Sequence, residues 1–155
     1  MSDVYSDALA RLGLALPQVS SPAGAYTPTV VTGNLLFIAG QISRIPGKAC
    51  DGRLGADLTV EQGQDAARLC ALNLVAHVAA AVGGDLDRVR RCVRVGGFVN
   101  AVPEFRDHAL VMNGASELLL ALFGERGRHV RTAVGVASLP RGAAVEADAI
   151  FEIAP

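Results

Sequence analysis

The chain is 155 residues long, with 14 Lys and Arg against 15 Asp and Glu, 51% hydrophobic residues and no tryptophan. One lysine, Lys48, and scattered arginines give no basic footprint for a nucleic-acid partner, and no apolar run approaches the roughly 18 residues of a membrane helix. The length predicts one domain spanning residues 1–155, and a chain so rich in Ala, Val and Leu is expected to bury surface between subunits as well as within each.

Residues 3–13 read as a short helix: Val4, Ala8, Leu9 and Leu12 recur at helical spacing, Ser2 can cap it and Gly13 can end it. This helix belongs to an N-terminal extension over residues 1–19, and residues 17–24 form a loop. The first residues lack a basic segment followed by an apolar one, so no secretory leader is expected and the cytoplasm is the expected location. Residues 27–31 and 35–40 read as a hairpin turning at Thr32-Gly33-Asn34. Tyr26 offers either a phenol at a pocket rim or a packing ring. Gly40 either lets a ligand approach the backbone or marks a bulge. Residues 43–58 read as a loop long enough to cover a pocket but without chemistry of its own.

Thr59-Val60-Glu61-Gln62 is a capping box, and the helix it opens is predicted to run to about Val82 and end at Gly83-Gly84. Residues 91–100 alternate as a strand. A second helix is predicted from Pro103 to about Phe123, stopped by Gly124. On its face Asn113 is either a functional amide or an ordinary surface side chain.

Residues 131–146 read as a second hairpin around Leu139-Pro140-Arg141-Gly142, with Ser138 opposite Ala143. In that register Val130, Thr132, Val134, Val136, Val145, Ala147, Ala149 and Phe151 share a packed face. Arg131, Ala133, Gly135, Glu146 and Asp148 share the other. Arg131 and Glu146 on one face, beside small residues, leave room for a ligand; the plain alternative is a solvated cross-strand pair.

The elements therefore run helix, strand–strand, helix, strand, helix, strand–strand. This is an α+β class: a mixed sheet with two main helices on one face and a short N-terminal helix. No internal repeat, phosphate-binding glycine loop, Ser-His-Asp set or Cys-His nucleophile is evident. Cys50, Cys70 and Cys92 are widely spaced and read as free or buried thiols. His77, His108 and His129 are equally dispersed, so no metal is expected, and nothing calls for a cofactor.

Several short segments, in order, resemble the RidA/YjgF family. Gly24-Ala25-Tyr26 matches its Gly-Pro-Tyr position, with Ala25 in place of proline, and Ala39-Gly40-Gln41-Ile42 matches Ser-Gly-Gln-Ile. Phe98-Val99 and Glu104-Phe105 match its Phe-Val and Asp-Phe elements. Asn113 precedes Arg131 by one residue more than usual, and Leu139-Pro140 and Val145-Glu146 complete the C-terminal signature. The resemblance covers roughly residues 20–154. The departures are Ala133 in place of a common cysteine, a Leu-rich stretch after Asn113, the N-terminal extension and the 43–58 loop; they resemble a longer-chain subgroup.

The resemblance implies a chorismate-mutase-like fold and a homotrimer with clefts between subunits. It implies hydrolysis of 2-imino or enamine acids to 2-oxo acids and ammonia. Arg131 would hold the substrate carboxylate, a task suited to the parallel donors of a guanidinium. Glu146 would orient the attacking water. Tyr26, Gly40, Asn113 and Ala133 would complete the substrate site, the last through its backbone. Two other readings compete. A trimer that only binds a 2-oxo acid would show saturable binding without turnover. Endoribonuclease activity, a label some relatives carry, fits poorly with the balanced charge. A carboxylate beside Arg131 would stay ionised, whereas burial would push Glu146 toward the acid form.

Overall fold

The computed structural model describes residues 3–19 and 21–155. Ser2, the expected cap of the first helix, lies outside these residues. The elements are α1 (Asp3–Arg11), β1 (Thr29–Thr32), β2 (Leu35–Ile42), β3 (Arg44–Ile45), β4 (Lys48–Ala49), α2 (Val60–Ala81), β5 (Val89–Asn100), α3 (His108–Phe123), β6 (Val130–Val136) and β7 (Val145–Ile153).

The capping box is made as the sequence predicts. Thr59 Oγ1 accepts from the Gln62 N–H at 3.2 Å, and Gln62 Oε1 accepts from the Thr59 N–H at 2.9 Å. The helix ends at Gly83 and Gly84, whose φ values of 68° and 86° are open to glycine and costly for other residues. The first hairpin is also present, with Thr32 opposite Leu35 around Gly33-Asn34.

Five strands form one sheet in the order β1-β2-β7-β5-β6. Only β5 and β6 pair in parallel; the other neighbours are antiparallel. Helices α2 and α3 pack on one another; α2 lies against β7 and β2, and α3 against β6 and β5. Between helices and sheet Leu36, Leu72, Leu74, Met112, Leu119 and Phe151 are wholly buried. Each such large side chain contributes roughly 1.5–3 kcal/mol by leaving water. Helix α1 adds Tyr5 and Leu9 to this core, with the Tyr5 ring 5.6 Å from that of Phe123. Among the described residues no helix is long and apolar enough to cross a membrane.

Three expectations are corrected. First, α3 begins at His108 and not at Pro103. The intervening chain directs its backbone groups elsewhere: Val102 N–H donates to Leu54 O at 3.0 Å, and Phe105 N–H closes a turn on Val102 O at 3.1 Å. Second, residues 43–58 are not featureless, because they contain the small β3–β4 hairpin, with Arg44 opposite Ala49.

Third, β6 and β7 do not form a hairpin, because β5 lies between them. The helix α3 carries the chain across so that β6 can run parallel to β5, and β7 then returns on the other side. A turn does form at Pro140–Gly142, but it carries the chain over the end of β5. There the Asn100 side chain donates to Ala143 O at 3.1 Å and the Asn100 N–H donates to Ala144 O at 2.9 Å.

This pairing reverses half of the expected face assignment. Val145, Ala147, Ala149 and Phe151 do face the helices and are buried. On β6, however, Arg131 faces α3, while Val130 and Val134 stand 68% and 41% exposed on the opposite side of the strand. Glu146 and Asp148 alternate with the buried residues of β7 and face away from the helices. Arg131 and Glu146 are therefore on opposite faces of the sheet.

Candidate functional site

The predicted site residues fall into two groups. Tyr26, Gly40 and Glu146 line one cavity of about 380 Å³, together with Gln41, His77 and Arg141. Strand β2 bulges here, its register on β7 breaking between Ile38 and Gln41. Gly40 sits in that bulge, and a Cβ placed on it would overlap Glu146 Oε1 and lie 2.9 Å from Glu146 Cδ. The missing side chain is thus what gives the Glu146 carboxyl its space. Tyr26, half exposed, stands at the rim.

Burial is the main cause that raises the pKa of Glu146, and the like charge of Asp148 adds to it. Arg131 is not beside Glu146, so the expected lowering by that guanidinium does not arise within the chain. A group whose folded-state pKa is raised contributes stability that is complete below its unfolded value and is lost as pH rises through the folded value. Glu146→Gln is therefore expected to gain in stability relative to the parent as pH rises from 4 to 8. Denaturant midpoints at both pH values check this; a constant difference would show that burial does not govern the group.

His77 opens on the same cavity although it is only 3% exposed, and burial lowers its pKa, so the ring is neutral at neutral pH. The sequence reading left it among dispersed histidines. The available signal was its place four residues after Asn73, on the α2 face whose Asn73 side chain donates to Ile42 O and Arg44 O at 3.2 and 2.7 Å.

The second group is Asn113, Arg131 and Ala133, at the other side of the sheet. Arg131 Nη1 donates to Asn113 Oδ1 and to Ser116 Oγ, both at 3.0 Å, and Nη2 donates to Ala109 O at 3.1 Å. Positions 109, 113 and 116 recur along one side of α3, so the helix itself builds the seat. Ser116, missed by the sequence reading, was open to the same spacing argument. It also lies 2.9 Å from His129 Nε2, whose Nδ1 is 2.7 Å from Gly127 O. Burial, with Arg131 adding to it against the Gly127 bond, lowers the His129 pKa. In its neutral form with the proton on Nδ1, His129 donates to Gly127 and accepts from Ser116, which in turn accepts from Arg131. Ala133 is partly buried against the core, one place along the same face.

All three of these acceptors are neutral, and Arg131 forms no ion pair among the described residues. Its guanidinium is held in place with its charge uncompensated. The two groups are joined by β5: Arg131 lies opposite Val95, and Glu146 opposite Phe98. They flank that strand on different sides and project from different faces.

Burial raises the pKa of Cys50, Cys70 and Cys92, that of Cys92 to about 12, so the thiols are protonated at neutral pH. Among the described residues no three His, Cys, Asp or Glu side chains gather as a metal-binding group.

The pattern of the family described as "YjgF/chorismate mutase-like, putative endoribonuclease" matches residues 6–145. Protein TCP17 of Trypanosoma cruzi is 51% identical over 147 residues, covering 94% of this chain and 91% of that protein. The crystal structure of Atu1372 from Agrobacterium tumefaciens, a protein of unknown function, is 48% identical, with TM-score 0.92 over 98% of this chain and 94% of that one. TdcF of E. coli with bound serine is 26% identical, with TM-score 0.58 over 87% of this chain and 93% of that one. With the family pattern spanning most of the chain and two helices covering one face of the mixed sheet, this chain belongs to the RidA/YjgF family and has its chorismate-mutase-like fold.

Proposed function

We propose that the protein is a homotrimeric deaminase that hydrolyses 2-imino and enamine acids to 2-oxo acids and ammonia in clefts between subunits. The observation that carries this reading is the separation of the two groups. One chain presents an anchored, uncompensated guanidinium on an edge strand and a carboxyl with raised pKa in a cavity elsewhere, so one substrate can meet both only if a neighbour supplies the second. The open sheet face supports assembly, since Val30, Phe37, Val130 and Val134 are 52%, 40%, 68% and 41% exposed on it. Serine bound to TdcF is a small α-amino acid, which fits a carboxylate-holding arginine.

In this assembly Arg131 of one subunit grips the substrate carboxylate through paired donors. The 2-imino carbon then faces the Glu146 cavity of its neighbour. Water adds to that carbon while the imine nitrogen takes a proton, giving a carbinolamine. The C–N bond then breaks as the hydroxyl proton passes to the departing nitrogen, and a 2-oxo acid and ammonia result. A carboxyl with raised pKa suits both halves, giving a proton as the acid and taking one from water as the carboxylate. Tyr26 and Asn113 shape the site. The protonated thiols take no part.

The test is ammonia release from freshly generated 2-aminoacrylate. Acceleration by the wild-type protein supports the deaminase; saturable binding of a 2-oxo acid without acceleration moves the reading to a binding trimer. Sedimentation is expected to give the mass of three 16.0 kDa chains. A stable monomer would remove the shared cleft.

A further inference from the structure

Arg141 stands where the Glu146 cavity adjoins a second recess of about 530 Å³, and it lines both. Its backbone, with φ 59° and ψ 17°, is the one non-glycine in the left-handed region among the described residues. Such a conformation is disfavoured for a residue with a Cβ and persists where its surroundings fix it.

The surroundings here are residues of the 43–58 loop. Arg44 Nη2 donates to Arg141 O at 3.2 Å while its guanidinium is ion-paired with Asp51. The Gly52 N–H donates to Gly142 O at 3.0 Å, and the Ala144 N–H donates to Cys50 O at 3.1 Å. The loop thus fixes the turn that presents Arg141. The side chain itself has no acidic partner among the described residues, whereas Arg44, Arg68, Arg94 and Arg128 each have one. The second recess also carries Arg44 and Lys48, and among the described residues no carboxylate lines it.

We propose that Arg141 binds a second anionic group on the ligand, so that the site selects dicarboxylic 2-oxo and 2-imino acids over monocarboxylic ones. The inference rests on the reading that Arg131 of a neighbour holds the α-carboxylate. A ligand so held at the Glu146 cavity directs its side chain toward the rim, where a carboxylate meets Arg141 and the basic recess behind it. With the turn already fixed, binding need order only the Arg141 side chain and not its backbone.

Calorimetric titration of the full-length protein with 2-oxobutanoate and with 2-oxoglutarate tests this. The dicarboxylate is expected to bind about ten times more tightly, an ordinary gain for one partly exposed ion pair on a prepared site. Arg141→Gln is expected to bring the ratio of the two affinities to about one, and Arg141→Lys, which keeps the charge, to retain most of it. No preference in the parent protein would overturn the proposal. So would an Arg141→Gln variant that weakens both acids equally, which would place Arg141 at the α-carboxylate. Binding of neither acid would remove the underlying site reading, and this inference with it.

Discussion

Arg131→Ala is expected to lower kcat/KM for ammonia release from 2-aminoacrylate about 100-fold, or about 2.7 kcal/mol. The magnitude follows from the loss of two charge-assisted hydrogen bonds to a carboxylate, each of which exceeds a neutral bond in strength. A purely structural role for the residue predicts something else. Its bonds to Asn113, Ser116 and Ala109 lie where water can replace the guanidinium, so the truncation should cost about 1 kcal/mol of stability and little activity. Arg131→Lys separates the two roles further. It keeps a charge but gives up the planar fork, so activity is expected to fall between the parent and the alanine variant. A folded Arg131→Ala protein with parental kcat/KM would end the assignment.

The sequence was most informative where chemistry is local. The Thr59–Gln62 box and the Gly83-Gly84 stop placed α2 because each depends on a few consecutive residues. Strand β5 and the first hairpin followed from alternation and turn residues in the same way. Pairing between distant strands was not open to that logic. The 131–146 segment carries both strand patterns and a turn, and nothing within it reveals that β5 comes between. The β6 alternation was itself misleading: Val130 and Val134 look like core residues, yet they sit on the uncovered face, and the polar Arg131 faces a helix.

The candidate site was legible to a similar extent. Tyr26, Gly40, Asn113, Ala133, Arg131 and Glu146 stand out in the sequence through the resemblance, whereas Ser116 and His77 do not; the 3.0 Å bond between Arg131 and Asn113 is a finding of the fold. That Arg131 and Glu146 belong to separate groups depended on the β5 insertion and so was out of reach. Arg141 and the 43–58 loop were passed over for another reason. The turn reads as punctuation, and neither its left-handed arginine nor the Arg44 bond that holds it has a sequence signature.

Gly114→Ala is expected to lower stability by about 2 kcal/mol. Gly114 is buried in α3 between Asn113 and Ser116, and a Cβ there would fall on the Gln64 carbonyl oxygen of α2 and within 2.7 and 2.8 Å of Gln64 C and Cα. The obstacle is backbone, so no side chain can turn aside and the two helices must separate. Overpacking of this kind costs about 1–3 kcal/mol and the upper end applies, with about 1 kcal/mol recovered from the better helix propensity of alanine. At this chain length the melting temperature falls by about 4–8 °C. Separation also strains the Gln64 side-chain bond to Leu110 O, 2.9 Å long, that ties the helices together. Gly63→Ala is the internal comparison, because the atoms nearest its Cβ would belong to the side chains of Leu54 and Val111, at 2.8 and 3.0 Å, which can shift. It is expected to cost less. The two substitutions also differ in reach: Ala109, Asn113 and Ser116 ride on α3, so Gly114→Ala displaces the seat of Arg131 and weakens carboxylate binding, while Gly63→Ala leaves it nearly unchanged. A Gly114→Ala protein as stable as the parent, or less affected than Gly63→Ala, would show that the close approach of α2 and α3 does not set the position of Arg131.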